Sequence, residues 1–126
     1  MNALVDTSVW VAHFRHANLS LVDLIERDRV LGHPLVLGEI ACGTPPAPRD
    51  QTLGAMALLR QAHSVSMTEV MAFIEREKLY GLGCGFVDMA LLASTLLTPE
   101  AKLWTLDKRL LDLATRFGVQ LAPPLH

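Results

Sequence analysis

LVDTSVWVAHFR, residues 4–15, decides the fold. The apolar run Ala3-Leu4-Val5 reads as a short strand that stops at Asp6. The polar pair Thr7-Ser8 then supplies a helix start, and Val9, Val11, Ala12 and Phe14 continue the chain beyond it. The result is strand, turn, helix, with an acid at the carboxyl end of the strand. Near the other end the same grammar recurs. Lys102 to Leu106 reads as a strand ending at Asp107, and Leu110, Leu111, Leu113 and Ala114 mark a helix. Gly118 closes that helix ahead of a strand-like Val119-Gln120-Leu121.

Between these ends the periodicity is helical. Leu21, Leu24 and Ile25 recur at helix spacing within Leu19 to Arg29, and Pro34 suits the first turn of a helix carrying Glu39. Pro45, Pro46 and Pro48 make Gly43 to Asp50 a loop. Gln51 to His63 has period near 3.6 through Leu53, Met56, Ala57 and Leu58. Ser66 and Glu69 have capping-box spacing for a helix through Glu77. The glycines of GLGCG, residues 81–85, interrupt the pattern before FVDMALLASTLL, an almost wholly apolar and therefore buried helix with Asp88 in its first turn. Strands alternating with helices predict an α/β fold, a mostly parallel sheet of about 4–5 strands covered by helices, in one domain spanning residues 1–126.

The chain is 51% hydrophobic, enough to build a core at 126 residues. No apolar run approaches the ~20 residues of a membrane span, and the start MNALVDTSVW places an acid where a signal peptide needs apolar residues. The expectation is a cytoplasmic protein with no membrane association. Cys42 and Cys84 are too few for a disulfide framework or a zinc site. A formal charge of −2 argues against nucleic-acid binding by bulk positive charge. It argues less against a nuclease, because a carboxylate pocket adds negative charge that a bound cation reverses.

Asp6 and Asp107 sit where open parallel sheets bind ligands, beyond the carboxyl ends of strands. Asp88, at the start of a buried helix, and Glu39, from its own helix, are positioned to join them. Apolar pairs precede each acid: Leu4-Val5, Leu37-Gly38, Phe86-Val87 and Thr105-Leu106, the last two starting from an aromatic and a hydroxyl. Clustered carboxylates repel and lose hydration, which a divalent cation relieves. Oxygen-only ligands point to magnesium or manganese. Such a site suits phosphodiester hydrolysis without a protein nucleophile, and the hydroxyls of Thr7, Ser8 and Thr105 are candidates to orient ligands or water.

Four segments resemble the acidic motifs of PIN domains, specifically of VapC-type toxins. They are LVDTSVWVAHFR (4–15), HPLVLGEIACG (33–43), GLGCGFVDMALLAS (81–94) and LWTLDKRLLDLA (103–114). The resemblance implies a three-layer α/β/α sandwich and a Mg2+-dependent (or Mn2+-dependent) endoribonuclease with Asp6, Glu39, Asp88 and Asp107 as catalytic metal ligands. It also implies a homodimer silenced by a cognate VapB-like antitoxin. Thr7, Ser8 and Thr105 would support the ligands.

Ordinary readings stand beside this one. Asp6, Asp88 and Asp107 each lie at a helix start, where an N-cap or a favourable dipole charge explains an acid. Asp23, Glu26, Glu75, Glu77 and Asp112 read as solvated or i,i+4-paired helix acids, and the five histidines, His126 included, show no metal spacing. Trp10 and Trp104 read as filling core or interface rather than as stacking platforms for bases. Basic residues near the proposed site include Arg15, Arg49 and Arg109, each a candidate to touch an RNA phosphate with surface solvation as the ordinary role. The chain shows no evident basic patch, so RNA affinity is expected to depend on the dimer. A haloacid-dehalogenase-type phosphatase needs a second Asp where Ser8 stands, and a receiver domain needs paired acids after the first strand. The alternative of another class is a PIN-like module that only binds protein partners.

Overall fold

In the computed structural model, which describes residues 1–121, all four strands run parallel in the order β3-β2-β1-β4. Strand β1 (Asn2–Val5) is central, β2 (Val30–Gly32) and β3 (Arg60–Gln61) lie to one side, and β4 (Ala101–Trp104) to the other. Seven helices accompany the sheet among the described residues, giving the α/β/α sandwich. They are α1 (Thr7–Arg15), α2 (Leu19–Glu26), α3 (Pro34–Cys42), α4 (Arg49–Ala57), α5 (Met67–Glu77), α6 (Phe86–Leu97) and α7 (Lys108–Arg116). His126 lies outside the described residues.

The strand order locates the site. From β1 the chain adds β2 and β3 in one direction, then crosses to β4 on the opposite flank, so the switch falls between β1 and β4. Leu4 and Val5 pair with Leu103 and Trp104 there, which brings Asp6 and Thr105 side by side beyond the strand ends. Ala3, Leu4, Val5 and Leu103 are wholly buried, and the Leu4, Val5 and Leu103 side chains each contribute roughly 1.5–3 kcal/mol. Helix α6 is buried continuously from Met89 to Thr95, as an all-apolar helix must be. Trp10 and Trp104 are core residues. Among the described residues no buried side-chain polar atom lacks a partner.

The structure corrects several boundaries. The helix expected from Leu19 to Arg29 ends at Glu26, because Asp28 turns left-handed at φ 57 and the chain enters β2. Asp is among the residues that tolerate that region, and Arg60 fastens it by donating to the Asp28 carbonyl at 2.6 Å. The helix expected from Gln51 to His63 spans Arg49–Ala57 instead, and β3 follows. Two exposed polar residues carry no alternation for a strand to announce itself. The cap of α1 is Asp6 itself, not Thr7-Ser8. Val119 to Leu121 forms a single parallel bridge beside Leu103 rather than a strand. Pro34 at the first turn and the Ser66/Glu69 capping box fall where the sequence puts them.

The cap of α3 is a residue with no notice in the sequence. His33, buried, accepts from the Leu35 N–H through Nδ1 at 3.1 Å, which leaves the proton on Nε2 to be donated to Ser94 Oγ at 3.1 Å. Burial lowers its pKa from the ordinary histidine value. A folded value below the unfolded ~6.5 means that stability is intact above about pH 6.5 and drains away as pH falls through the lowered value. His33→Asn keeps a capping oxygen without the titration. Its melting temperature is therefore expected to fall less between pH 7 and pH 5 than that of the parent chain, as followed by circular dichroism; equal falls would exclude His33 as the source.

Candidate active site

Asp6 is the hub. It follows β1 directly and is buried, at 6% exposure, because its neighbour β4 walls it in. Its Oδ1 accepts from the Thr7 N–H at 2.8 Å, which caps α1. Its Oδ2 accepts from Ser8 Oγ at 2.8 Å and from Thr105 Oγ1 at 2.7 Å. Both hydroxyl protons are thereby committed to the carboxylate, so the 3.4 Å approach of Ser8 and Thr105 oxygens is proximity rather than a bond. Each hydroxyl also accepts: Ser8 from the Leu106 N–H at 3.0 Å, Thr105 from the Asp107 N–H at 3.0 Å. The β1 and β4 ends are stitched together through one buried carboxylate.

The other acids attach to this hub by different routes. Thr7 donates its hydroxyl to Glu39 Oε1 at 2.6 Å while its N–H serves Asp6, so one residue joins α3 to the end of β1. Asp107 Oδ1 caps α7 by accepting from the Arg109 and Leu110 N–H groups at 2.9 and 3.1 Å. Asp88 Oδ2 accepts from the Gly85 N–H at 3.2 Å at the start of α6. The ordinary cap reading and the site reading are thus both served by the same side chains. Glu39 and Asp107 are exposed and Asp88 half-buried, so the apolar neighbours that precede them in sequence do not desolvate them as they do Asp6.

Electrostatics ties Asp88 to the rest. Burial raises its pKa above the usual carboxylate value, and Asp6, Asp107 and Glu39 push it further the same way against the Gly85 N–H. Every one of the other three acids is close enough to repel it. Yet among the described residues no three His, Cys, Asp or Glu side chains close on a common point fit to hold an ion. Their oxygens are turned into caps and hydroxyl bonds. The donor chemistry, four carboxylates and no nitrogen or sulfur, suits a hard divalent cation.

Arginine behaves otherwise than solvation alone predicts. Arg109 lies across Gly83, whose φ is +85: a Cβ there would meet the Arg109 Nη1 at 2.5 Å. Its Nη1 donates to the Gly83 carbonyl at 3.4 Å, which fastens the 81–85 loop to α7 between Asp88 and Asp107. Arg49 is committed to the Gly43 and Ala41 carbonyls at the end of α3. The GLGCG glycines signalled a break, but nothing in them announced the arginine that lies on one. Burial first, then Asp88 and Asp107, raise the Cys84 thiol pKa while Arg109 opposes them, which disfavours the reactive thiolate.

Comparison with known proteins decides the family. The PIN domain family matches residues 3–115. This chain belongs to the PIN-domain family. It is also 44% identical over 119 residues to "Ribonuclease VapC32" of Mycobacterium tuberculosis strain CDC 1551 / Oshkosh, which covers 94% of this chain and 95% of the relative. The protein of the same name from strain H37Rv matches to the same extent. The matched span includes all four acids and the hydroxyls that hold them.

Proposed function

We propose that this PIN-domain chain is the endoribonuclease toxin of a VapBC-type pair, using Asp6, Glu39, Asp88 and Asp107 to hold Mg2+ or Mn2+ while RNA phosphodiester bonds are hydrolysed. The observation that carries the reading is that the backbone N–H and hydroxyl of Thr7 link Asp6 to Glu39, and the Thr105 hydroxyl links Asp6 to the Asp107 N–H, at the switch point of a parallel sheet. Similarity to a ribonuclease, at 44% identity over 94% of the chain, supports the substrate class. A bound divalent ion supplies charge neutralisation at the phosphate and acidity to an attacking water.

This chain's own residues do the rest. Ser8 and Thr105 fix the Asp6 carboxylate by two donated hydrogen bonds, and Thr7 aims Glu39 toward the same end of the sheet. Asp107 is oriented by the first turn of α7. The mouth needs no protein nucleophile. In the cell a small VapB-like antitoxin would cover the mouth, the toxin would act as a homodimer, and the cytoplasm would supply RNA. None of the described helices is long and apolar enough to cross a membrane.

The test is cleavage. The chain purified free of partners is expected to cut a structured RNA in the presence of magnesium or manganese, to stop on chelation, and to lose cutting on Asp6→Asn. RNA left intact with either metal, or cut equally well by Asp6→Asn, rejects the proposal.

A further inference from the structure

Beside Glu39 a cleft of about 420 Å³ opens between the end of α1 and the end of α3. Val11, Phe14, Arg15, Pro45 and Pro46 line it together with Glu39. Its size lies within the roughly 300–1,000 Å³ typical of small-ligand sites. Three of its features bear on what it holds.

The apolar wall is rigid before anything binds. Pro45 and Pro46 have fixed φ angles, and Thr52 donates to the Pro46 carbonyl at 2.8 Å. Arg49 fastens the Gly43 carbonyl at 3.1 Å just ahead of them. Phe14, in the same lining, is packed by Trp10, with ring centroids 6.1 Å apart, yet stays partly exposed. Two apolar surfaces, each held in place before anything binds, therefore line one cleft. The third feature is charge. Arg15 is exposed and makes no ion pair with any described residue, although Glu39 lines the same cleft.

A chain of net charge −2 holds RNA against its own average field. Stacking is indifferent to that field, because every base has a π-face, and single-stranded RNA is gripped chiefly by stacked, splayed-out bases. We propose that the cleft is the subsite for one unpaired nucleotide adjoining the bond that is cut, its base between Phe14 and Pro45-Pro46 and its phosphate paired with Arg15. The assignment rests on the ribonuclease reading and adds to it a place where the substrate is gripped. Phosphate beside Glu39 would be repelled by that carboxylate, and Arg15 supplies the opposing charge.

The experiment is steady-state cleavage of a labelled single-stranded RNA oligonucleotide of mixed sequence by the purified chain with manganese. Arg15→Ala removes the cation, and Thr44→Trp, at an exposed residue of the same cleft wall, fills the space. Both sites are exposed, so melting temperatures should match the parent. Thr44→Trp, by displacing the base, is expected to raise KM about tenfold, within the range of one lost stacking contact; Arg15→Ala, which loses a phosphate contact, is expected to raise KM severalfold, and kcat should stay within about twofold in both. Arg15→Ala should also flatten the dependence of log affinity on log salt by about 0.7, the signature of one lost phosphate contact on a single strand. An unchanged KM and salt slope in both variants, while Asp88→Asn is inactive, overturns the subsite and leaves the ribonuclease standing. A parent chain that cuts no RNA overturns both. If Thr44→Trp leaves KM alone but releases inhibition by a co-expressed protein partner, the cleft belongs to that partner and the nucleotide assignment is wrong.

Discussion

Asp88→Asn is expected to lower RNA cleavage at least about a hundredfold while raising, not lowering, the melting temperature of the metal-free protein. The activity loss follows from removing one of four carboxylates, since even outer groups around a metal cost 10- to 100-fold when lost. The stability gain follows from sign. Asp88's folded pKa lies above its unfolded value, chiefly from burial and then from Asp6, Asp107 and Glu39. A raised acid stabilises the fold below the unfolded pKa of about 3.9 and loses that contribution as pH rises through the folded value. At pH 7 the parent chain therefore carries an unfavourable carboxylate that Asn does not.

The asparagine oxygen still accepts from the Gly85 N–H, so the start of α6 is kept. Loss of a favourable helix-dipole charge opposes the gain by about 0.3–1 kcal/mol. The upward direction of the pKa says that repulsion and burial outweigh the stabilising contacts. On acidification to pH 4 the difference between the two proteins should shrink. Under the proposed metal-binding role, saturating manganese should reverse it, because only the parent would bind the ion tightly and gain by mass action. Calorimetry of both chains at pH 7 and pH 4, with and without the ion, checks each arm. An Asn variant less stable than the parent in metal-free buffer at pH 7 would falsify the repulsion.

What the sequence made legible, and what it hid, divides by the range of the interaction. Asp6 and Asp107 were readable because each ends an apolar run and begins a helix, a signal contained in a dozen neighbouring residues. The same holds for Pro34 and for the Ser66/Glu69 box, which are chemistries of one turn. β2 and β3 were hidden, since three residues and two residues show no period and owe their extended form to pairing with β1 and with each other. His33 as a cap needed Ser94, 61 residues away, to hold its other nitrogen. The hydroxyls of Thr7, Ser8 and Thr105 could be suspected as neighbours of acids, but that Thr105 serves both Asp6 and Asp107 depends on the register of β1 against β4. The burial of the acids was misjudged for a related reason. Apolar neighbours along a helix lie on several faces, and Glu39 takes the exposed one.

Thr105→Val is expected to destabilise the fold strongly, costing about 3 kcal/mol and about 10 °C in melting temperature. The substitution preserves shape and deletes only the hydroxyl, yet that hydroxyl works twice. Its proton goes to Asp6 Oδ2 at 2.7 Å, and its oxygen takes the Asp107 N–H at 3.0 Å, all at 5% exposure. A hydrogen bond to a charged group contributes about 1.5–3 kcal/mol, and the part-buried Asp107 N–H left unpaired adds at the low end of the roughly 1–3 kcal/mol that a buried one costs. Ser8 and the Thr7 N–H still hold Asp6, so the carboxylate is loosened rather than abandoned. Thr105→Ser restores both bonds and loses only a methyl group, so it should recover most of the stability. Cleavage should follow the same order, with Val down about 10- to 100-fold and Ser near the parent, because a carboxylate held by one fewer donor no longer keeps a fixed orientation. Thermal unfolding and cleavage measured on the pair separate the hydroxyl from the side-chain volume. A valine variant melting within about 1 °C of the parent would mean that water replaces the hydroxyl at no cost, and the stitching of β1 to β4 would then lie elsewhere.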